Sequence, residues 1–290
     1  MTNKECGRDE VCASCSAAAN CSSRPENASL KVESSPFNRV KRLVAVMSGK
    51  GGVGKSTVSA LLAVNLAKAG YQVGILDADI TGPSIPRLFG LTEKPGLDEK
   101  GVLPVTSSLG IKVMSLNLLL PEETEPVVWR GPLIGAAIKQ FWTDVVWGEL
   151  DFLLVDLPPG TSDAALTVLQ SLPVDGVIMV STPQELAAMI VGKAVRMVER
   201  LGLPLIGLVE NMSYTLCPHC GEEIRLFGPS KAQEFADSIG TDLLAILPID
   251  HNLIRLADSG NIEQYDLPLN KMVNAVTTKL GMQKREEGQA

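Results

Sequence analysis

The chain has 290 residues, of which 45% are apolar, and its 26 basic and 33 acidic residues give a net charge of -7 and a pI of about 5.0. This apolar content is enough for one large α/β core, while an acidic chain lacks the protein-wide positive field that attracts nucleic acids and anionic membranes. Residues 1–40 contain no secretory apolar segment, and no apolar run approaches the ~20 residues of a membrane span, so the sequence predicts a cytoplasmic protein.

Residues 1–40 are predicted to form a flexible extension, because they are rich in Ser, Ala, Asn and Cys and poor in large apolar side chains. Four of the six cysteines of the chain lie in this extension: Cys6, Cys12, Cys15 and Cys21. Clustered cysteines in a reducing compartment are more often metal ligands than disulfides, and four thiolates suffice for one [4Fe-4S] cluster. The extension is therefore a candidate cluster site. A tail with incidental cysteines is the alternative, because the spacing matches no ferredoxin pattern.

Residues 41–282 are predicted to form one domain in which short apolar strands alternate with longer helices, followed by a polar tail at 283–290. The predicted strands are 43–47, 73–76, 111–114, 152–155, 176–180, 205–209 and 243–247. The predicted helices are 55–68, 133–146, 164–169, 186–201, 231–239, 253–259 and 271–280. Residues 82–110, rich in Pro and Gly, are predicted to be an irregular excursion. Strands without polar alternation are covered on both faces, which predicts an α/β, doubly wound, mostly parallel sheet with helices on both faces.

The segment GKGGVGKST at residues 49–57 has the G-x-x-x-x-G-K-S/T spacing of a phosphate-binding loop, between a predicted strand and a predicted helix. Its glycines let backbone N–H groups approach phosphates, Lys55 reaches the outer phosphates, and the Ser56 hydroxyl can ligate Mg²⁺. The sequence therefore predicts a P-loop nucleoside triphosphatase. The predicted nucleotide-binding residues of the loop are Gly49, Lys50, Gly51, Gly52, Val53, Gly54, Lys55, Ser56 and Thr57.

Lys50 adds a second cation at the opening of this loop. It can pair with a carboxylate of its own chain, or supply charge to the phosphates of a facing subunit as an arginine finger does. The residues alone leave both interpretations open.

Three aspartates end predicted strands beside the loop, where a Mg²⁺-bound nucleotide needs oxygen ligands. Asp156 is the Walker B candidate, Asp77 is a second candidate Mg²⁺ ligand, and Asp79 is a candidate for orienting the attacking water, with residues 80–84 as a switch segment. Capping of the following helices is the alternative. Asn211 is a candidate purine contact, and the absence of an N-K-x-D guanine signature favours ATP over GTP.

Cys217 and Cys220 form a CPHC motif that supplies two thiolates, whereas zinc or a [4Fe-4S] cluster usually takes four protein ligands. A two-fold homodimer that apposes two such pairs provides four. The alternatives are a redox dithiol, a zinc site completed by His219 or the amino-terminal cysteines, and buried structural cysteines.

The loop GKGGVGKST resembles the deviant Walker motif of the MinD, ParA and nitrogenase iron-protein superfamily, in which the extra lysine acts across a nucleotide-sandwich dimer. Together with ILDADITGPSIP, VVWRGP, LLVDLPPGTSD, VENMSY, CPHCG and LPID, it makes residues 40–280 similar to the Mrp (ApbC-like) family of iron-sulfur cluster carrier ATPases. This resemblance implies a MinD-like, ATP-hydrolysing homodimer that binds a [4Fe-4S] cluster through Cys217 and Cys220. It also implies that Lys50 is catalytic, and that the partners are recipient apoproteins and the cluster assembly machinery.

The amino-terminal cysteines resemble the extension of the cytosolic scaffold members of that family, C-x13-C-x2-C-x5-C. Cys12, Cys15 and Cys21 match, while Cys6 precedes Cys12 by a gap of five residues instead of thirteen. Electron-transfer reductases are disfavoured because no cysteine lies between Cys21 and Cys217, and membrane or DNA binding is disfavoured by the polar tail and acidic charge. The alternative function is a zinc-stabilised regulatory or partition ATPase without cluster transfer.

Overall fold

The computed structural model describes residues 31–79, 82, 84–120, 131–184 and 189–283. Several predictions fall on other residues. The candidate ligands Cys6, Cys12, Cys15 and Cys21, positions 80, 81 and 83 of the predicted switch segment, and residues 284–290 of the tail lie outside the described residues.

The domain is built on an eight-stranded sheet with the order β12-β9-β8-β1-β7-β2-β6-β5. Its seven longer strands pair in parallel, and the edge strand β5 pairs antiparallel with β6. The strands are β1 (Arg39–Ser48), β2 (Val73–Asp77), β3 (Gly96–Asp98), β4 (Gly101–Leu103), β5 (Val105–Thr106), β6 (Lys112–Ser115), β7 (Glu149–Asp156), β8 (Gly176–Ser181), β9 (Leu205–Glu210), β10 (Thr215–Leu216), β11 (Glu223–Ile224) and β12 (Leu243–Ile246). The predicted mostly parallel sheet is confirmed.

Helices cover both faces of this sheet. The helices are α1 (Lys55–Lys68), α2 (Ile85–Leu88), α3 (Gly131–Thr143), α4 (Asp163–Ser171), α5 (Met189–Arg200), α6 (Ala232–Ser238), α7 (His251–Asp258) and α8 (Asn270–Lys279). Residues of α1, α2, α7 and α8 join one buried apolar cluster, and residues of α3, α4, α5 and α6 join a second cluster on the other face. The doubly wound architecture predicted from the sequence is therefore confirmed.

Strand β1 shows why the strands lack polar alternation. Its side chains alternate between the two faces, as in any strand, so Val44 and Val46 enter one apolar cluster while Ala45 and Met47 enter the other. All four side chains are fully buried. Because helices lie on both faces, each residue of the strand meets an apolar surface.

Residues 82–110 contain more regular structure than the sequence predicts. They form the short helix α2, the hairpin of β3 with β4, and the edge strand β5. The prediction of an irregular excursion is therefore wrong for these parts. Elements of two to four residues are too short to show a hydrophobic period, and the prolines and glycines between them dominate the pattern.

The described end of the amino-terminal extension packs against the domain. The backbone N–H of Val32 donates to Ser171 O at 2.8 Å, and Trp142 Nε1 donates to Val32 O at 2.9 Å. Asn38 Nδ2 donates to Val145 O at 2.9 Å, next to the start of β1. The packed part of the chain thus begins before the predicted boundary at residues 40 and 41.

Candidate functional site

The phosphate-binding loop follows the carboxyl end of β1, an interior strand that lies between β8 and β7 in the sheet. Ligands of doubly wound sheets bind at this type of position. Gly52 and Gly54 adopt left-handed φ values of 82° and 75°, and Gly54 directly precedes α1. A Cβ at Gly54 would also lie 2.3 Å from Asn211 Nδ2, so both the backbone and the space require glycine here.

The loop lines an open cleft of about 260 Å³. Four of the predicted catalytic and Mg²⁺-binding residues line it: Lys50, Lys55, Ser56 and Asp79. Lys50 is exposed at the cleft and Asp79 is half-buried, while Lys55 is buried. The structure thus brings together residues that the sequence places up to 29 positions apart, and both remaining candidates, Asp77 and Asp156, lie buried at neighbouring strand ends.

Asp156 is the centre of a buried hydrogen-bond network at the end of β7. Lys55 Nζ lies 2.7 Å from Asp156 Oδ2, and the Ser56 hydroxyl donates to the same oxygen at 2.5 Å. Ser59 Oγ donates to Asp156 Oδ1 at 2.7 Å. A buried carboxylate is tolerated only when charge and hydrogen bonds compensate it, and these three groups do so.

Ser59 was missed by the sequence reasoning. A signal for it exists, because Ser59 follows Lys55 by one helical turn and so lies on the same face of α1.

Asp77 holds the backbone that follows β2. Its Oδ1 accepts the N–H of Asp79 at 3.2 Å, and its Oδ2 accepts the N–H groups of Ser84 and Ile85 at 3.2 and 3.3 Å. The Ser115 hydroxyl donates to Oδ2 at 3.2 Å. Burial, and then the negative charge of Asp156, raise the pKa of Asp77 to about 8. Asp77 therefore connects the Mg²⁺ candidate Asp156 with the predicted switch segment.

Asn211 lies against the phosphate-binding loop itself. Its side-chain Nδ2 donates to Val53 O at 2.9 Å, and the residue is almost fully buried. The structure thus places Asn211 at the nucleotide site, and its contact with a purine stays a prediction.

Cys217 and Cys220 lie in the tip of a hairpin whose strands are β10 and β11. Cys217 N donates to Glu222 O, and Gly221 N donates back to Cys217 O, both at 2.9 Å, which closes the tight turn. Cys217 is half-buried and Cys220 is exposed, so the alternative of buried structural cysteines is wrong. The backbone N–H groups of Cys220 and then His219 donate to the Cys217 thiol and hold its pKa below the ordinary value.

A thiol with a lowered pKa is more readily present as the thiolate, which is the form that binds metals. Within the described residues, no group of three or more His, Cys, Asp and Glu side chains is arranged to hold a metal ion. The hairpin therefore presents a pair of thiols, one half-buried and one exposed.

Residues 39–281 match the family of NUBPL iron-transfer P-loop NTPases, within the ParA group. The chain belongs to this family. The match confirms the predicted resemblance to cluster carrier ATPases. The P-loop NTPases of this family are nucleoside triphosphate hydrolases. The NUBPL iron-transfer family thus accounts for the phosphate-binding loop and the MinD-like sheet together.

Two similar proteins support this assignment. The iron-sulfur cluster carrier protein of Clostridium perfringens is 44% identical over 268 residues, which are 90% of this chain and 93% of that protein. A nucleotide-binding protein from Archaeoglobus fulgidus in complex with ADP, with cobalt found in it, is 50% identical, with a TM-score of 0.73 over 80% of this chain and 91% of that one.

The cell division ATPase MinD of Pyrococcus furiosus has the same fold. It is 22% identical, with a TM-score of 0.54 over 83% of this chain and 97% of that one. This likeness concerns the architecture alone. None of the described helices is long and apolar enough to cross a bilayer.

Proposed function

We propose that this chain is an ATP-dependent iron-sulfur cluster carrier that binds a [4Fe-4S] cluster and transfers it to recipient apoproteins in the cytoplasm. The observation that carries the proposal is a CxxC pair at a hairpin tip, with Cys217 half-buried and Cys220 exposed, in the same domain as a phosphate-binding loop and in a chain 44% identical to a protein named as a cluster carrier. The cluster is cargo that arrives from an assembly machinery and leaves with the recipient.

Cys217 and Cys220 bind the cluster in this proposal, and the active form is a homodimer. One hairpin offers two thiolates, and a [4Fe-4S] cluster takes four. A two-fold axis beside the hairpin tips brings the same two cysteines from a second copy. The exposure of Cys220 supports this geometry, because a bridging ligand must reach beyond its own chain.

The phosphate-binding loop hydrolyses ATP in this proposal. Lys55 and the loop N–H groups bind the phosphates, and Asp79 orients the attacking water. Lys50 supplies positive charge to the nucleotide of the facing copy, as an arginine finger does. Hydrolysis yields ADP and phosphate, with the proton of the water released to the surroundings.

Mg²⁺ fits the donor set at this site. Ser56 and Asp156 supply hard oxygen donors only 2.5 Å apart, and the Asp77 carboxyl group lies beside Asp156 on the neighbouring strand. The ion, when bound, neutralises charge on the phosphates. We propose Ser56 and Asp156 as its main protein ligands. The Asp77 carboxyl group is already hydrogen-bonded to backbone N–H groups after β2 and to Ser115.

Anaerobic cluster reconstitution of Cys217→Ser/Cys220→Ser tests the proposal. We expect this variant to lose the visible absorption of the hairpin cluster and the transfer of iron to an apo-acceptor protein. His219→Ala is the matched control, since it changes the same turn without removing a thiolate and should keep both. Full transfer by the double variant would refute the role of the hairpin. Stoichiometric zinc without iron in the wild-type protein would instead support the zinc-stabilised regulatory alternative.

A further inference from the structure

The turn after β9 contacts both candidate sites. We define this turn, called the β9 turn below, as Glu210, Asn211, Met212 and Ser213. On one side Asn211 Nδ2 donates to Val53 O in the phosphate-binding loop at 2.9 Å. The Met212 side chain lies at the same loop, since a Cβ at Gly54 would be 3.5 Å from Met212 Cε.

On the other side of the turn, Glu210 contacts the residues that flank the hairpin with Cys217 and Cys220. This glutamate is fully buried at the end of β9. Ser213 Oγ donates to its Oε1 at 3.2 Å, and Ser230 Oγ donates to its Oε2 at 2.6 Å. Ser213 lies just before β10, and Ser230 lies six residues after the end of β11 and just before α6. One carboxyl group thus joins the two ends of the segment that carries both cysteines.

A buried carboxyl group is strongly unfavourable unless donors satisfy it, so these two hydroxyl contacts are not incidental. Glu210 has no role in the nucleotide chemistry proposed above, and its side chain accepts hydrogen bonds from Ser213 and Ser230, which lie on either side of the hairpin in the chain. The side-chain hydrogen bond of Asn211, the next residue, is with the phosphate-binding loop.

The β9 turn is anchored by its neighbours. Asn211 N donates to Ser181 O in β8 at 2.7 Å, and Ser213 N donates to Leu247 O after β12 at 2.9 Å. Between them Met212 adopts a left-handed φ of 57°, a conformation that a residue with a side chain adopts only when its surroundings hold it there. The hydrogen bonds on both sides leave the turn few ways to absorb a displacement at Asn211 locally.

We propose that the β9 turn couples the two sites: nucleotide binding at the phosphate-binding loop acts through Asn211 and Glu210 on the geometry of the cysteine hairpin. Glu210 is a positioning residue, because it acts through Ser213 and Ser230. The coupling is reciprocal, so cluster binding changes nucleotide affinity by the same factor. The inference rests on the proposed function for the identity of the cargo, and on the contacts alone for the coupling.

Hydrogen exchange of the cluster-free protein tests this coupling. We expect a non-hydrolysable ATP analogue with Mg²⁺ to slow exchange of the hairpin amides at residues 215–224 by about 5-fold or more in the wild-type protein. In Ser230→Ala, the ratio of the exchange rates without and with the analogue falls to about 1, although the analogue still binds and ATP is still hydrolysed. A merely structural role would speed exchange with and without nucleotide and leave the ratio unchanged.

The chain offers a matched control in a second carboxyl group held by serines. Glu263 accepts hydrogen bonds from Ser107 at 2.6 Å and from Ser108, away from the hairpin. Ser107→Ala should therefore keep the wild-type ratio. Glu210→Gln, which retains one acceptor oxygen, should give an intermediate ratio and serves if Ser230→Ala does not fold.

Two results would overturn the coupling: a wild-type ratio of about 1, or a wild-type ratio retained by both Ser230→Ala and Glu210→Gln. Because the exchange measurement needs no cluster, failure of the wild-type protein to retain iron would refute the proposed function without altering this outcome. In the cluster-loaded protein, Ser230→Ala should lose the effect of the analogue on the rate of iron transfer to a chelator, and Ser107→Ala should keep it.

Discussion

The two loop lysines differ in burial and in their neighbours. Lys55 is buried and pairs with Asp156 at 2.7 Å, and its place at the start of α1 also lets it bind the outer phosphates. Lys50 is exposed at the same cleft. Replacement of the two lysines is therefore expected to impair different steps, ATP hydrolysis for Lys50 and ATP binding for Lys55.

Lys50→Ala should lower ATP hydrolysis by about 10³-fold while ATP affinity changes little, because an exposed cation that acts on a facing nucleotide contributes to the transition state and not to binding in its own loop. Lys55→Ala should instead weaken ATP binding. Phosphate release and calorimetric titration measure the two effects, with Lys94→Ala as an exposed control. Undiminished turnover by Lys50→Ala would remove this lysine from the catalytic residues.

Asp77 predicts a pH dependence of stability. Its pKa rises from 3.8 to about 8 on folding, so the folded protein holds a proton there that the unfolded chain has released. The resulting stabilisation is fully present below the unfolded pKa and is lost as the pH rises through the folded pKa. The nucleotide-free protein should therefore lose stability between about pH 4 and pH 8, apart from the effects of other groups.

The difference between the wild-type protein and Asp77→Asn isolates this contribution. We expect the unfolding temperature of the wild-type protein to drop more between about pH 5 and pH 8 than that of Asp77→Asn. Asp98→Asn, at the exposed end of β3, should follow the wild-type profile. Parallel profiles for the wild type and Asp77→Asn would contradict the raised pKa.

At the scale of whole elements, the long strands and helices could be predicted because burial leaves a pattern in the sequence. The predicted strand 205–209 and helix 55–68 agree with β9 and α1 to within one residue. The hairpin β3 to β4 could not be predicted, since its strands have only three residues each, with β3 exposed and no residue of β4 fully buried.

Some residues of the candidate site could be predicted from the sequence, and others could not. The phosphate-binding loop and the CPHC motif are local, so their spacing alone predicts them. Ser115 and Glu210 are not local, because their partners are distant in sequence or lie across the hairpin, and only the folded sheet brings them together. A single serine or glutamate carries no signal in the sequence that identifies its partner.

Two glycines in regular elements should respond oppositely to alanine. A Cβ at Gly207 in β9 would lie 2.7 Å from the backbone oxygen of Asp242, which cannot move aside easily. Within the described part of the chain, no atom lies within 4 Å of a Cβ built at Gly192 in α5. Gly207→Ala should therefore destabilise the protein by about 1–3 kcal/mol, and Gly192→Ala should stabilise it by about 0.5–1 kcal/mol.

Urea denaturation of the cluster-free variants measures both effects in one series. Each protein serves as the control for the other, since the chemical change is the same. Equal changes in the midpoint for the two variants would contradict the packing described around β9.

At the scale of the whole molecule, one chain presents the two hairpin thiols and a nucleotide cleft lined by the exposed Lys50. A two-fold partner would complete the cluster site with its own thiolates, and would place a second exposed lysine beside the nucleotide. In this arrangement the two copies share one cluster.

Native mass spectrometry distinguishes a shared cluster from one held by a single chain, on anaerobically reconstituted protein in which Cys6, Cys12, Cys15 and Cys21 are replaced by serine. Only the hairpin thiols then remain as cysteine ligands. The expected species is a dimer with one [4Fe-4S] cluster, which separates into cluster-free monomers when Cys217 and Cys220 are also replaced. A monomer that retains a complete cluster, or a dimer that holds zinc and no iron, would contradict the account.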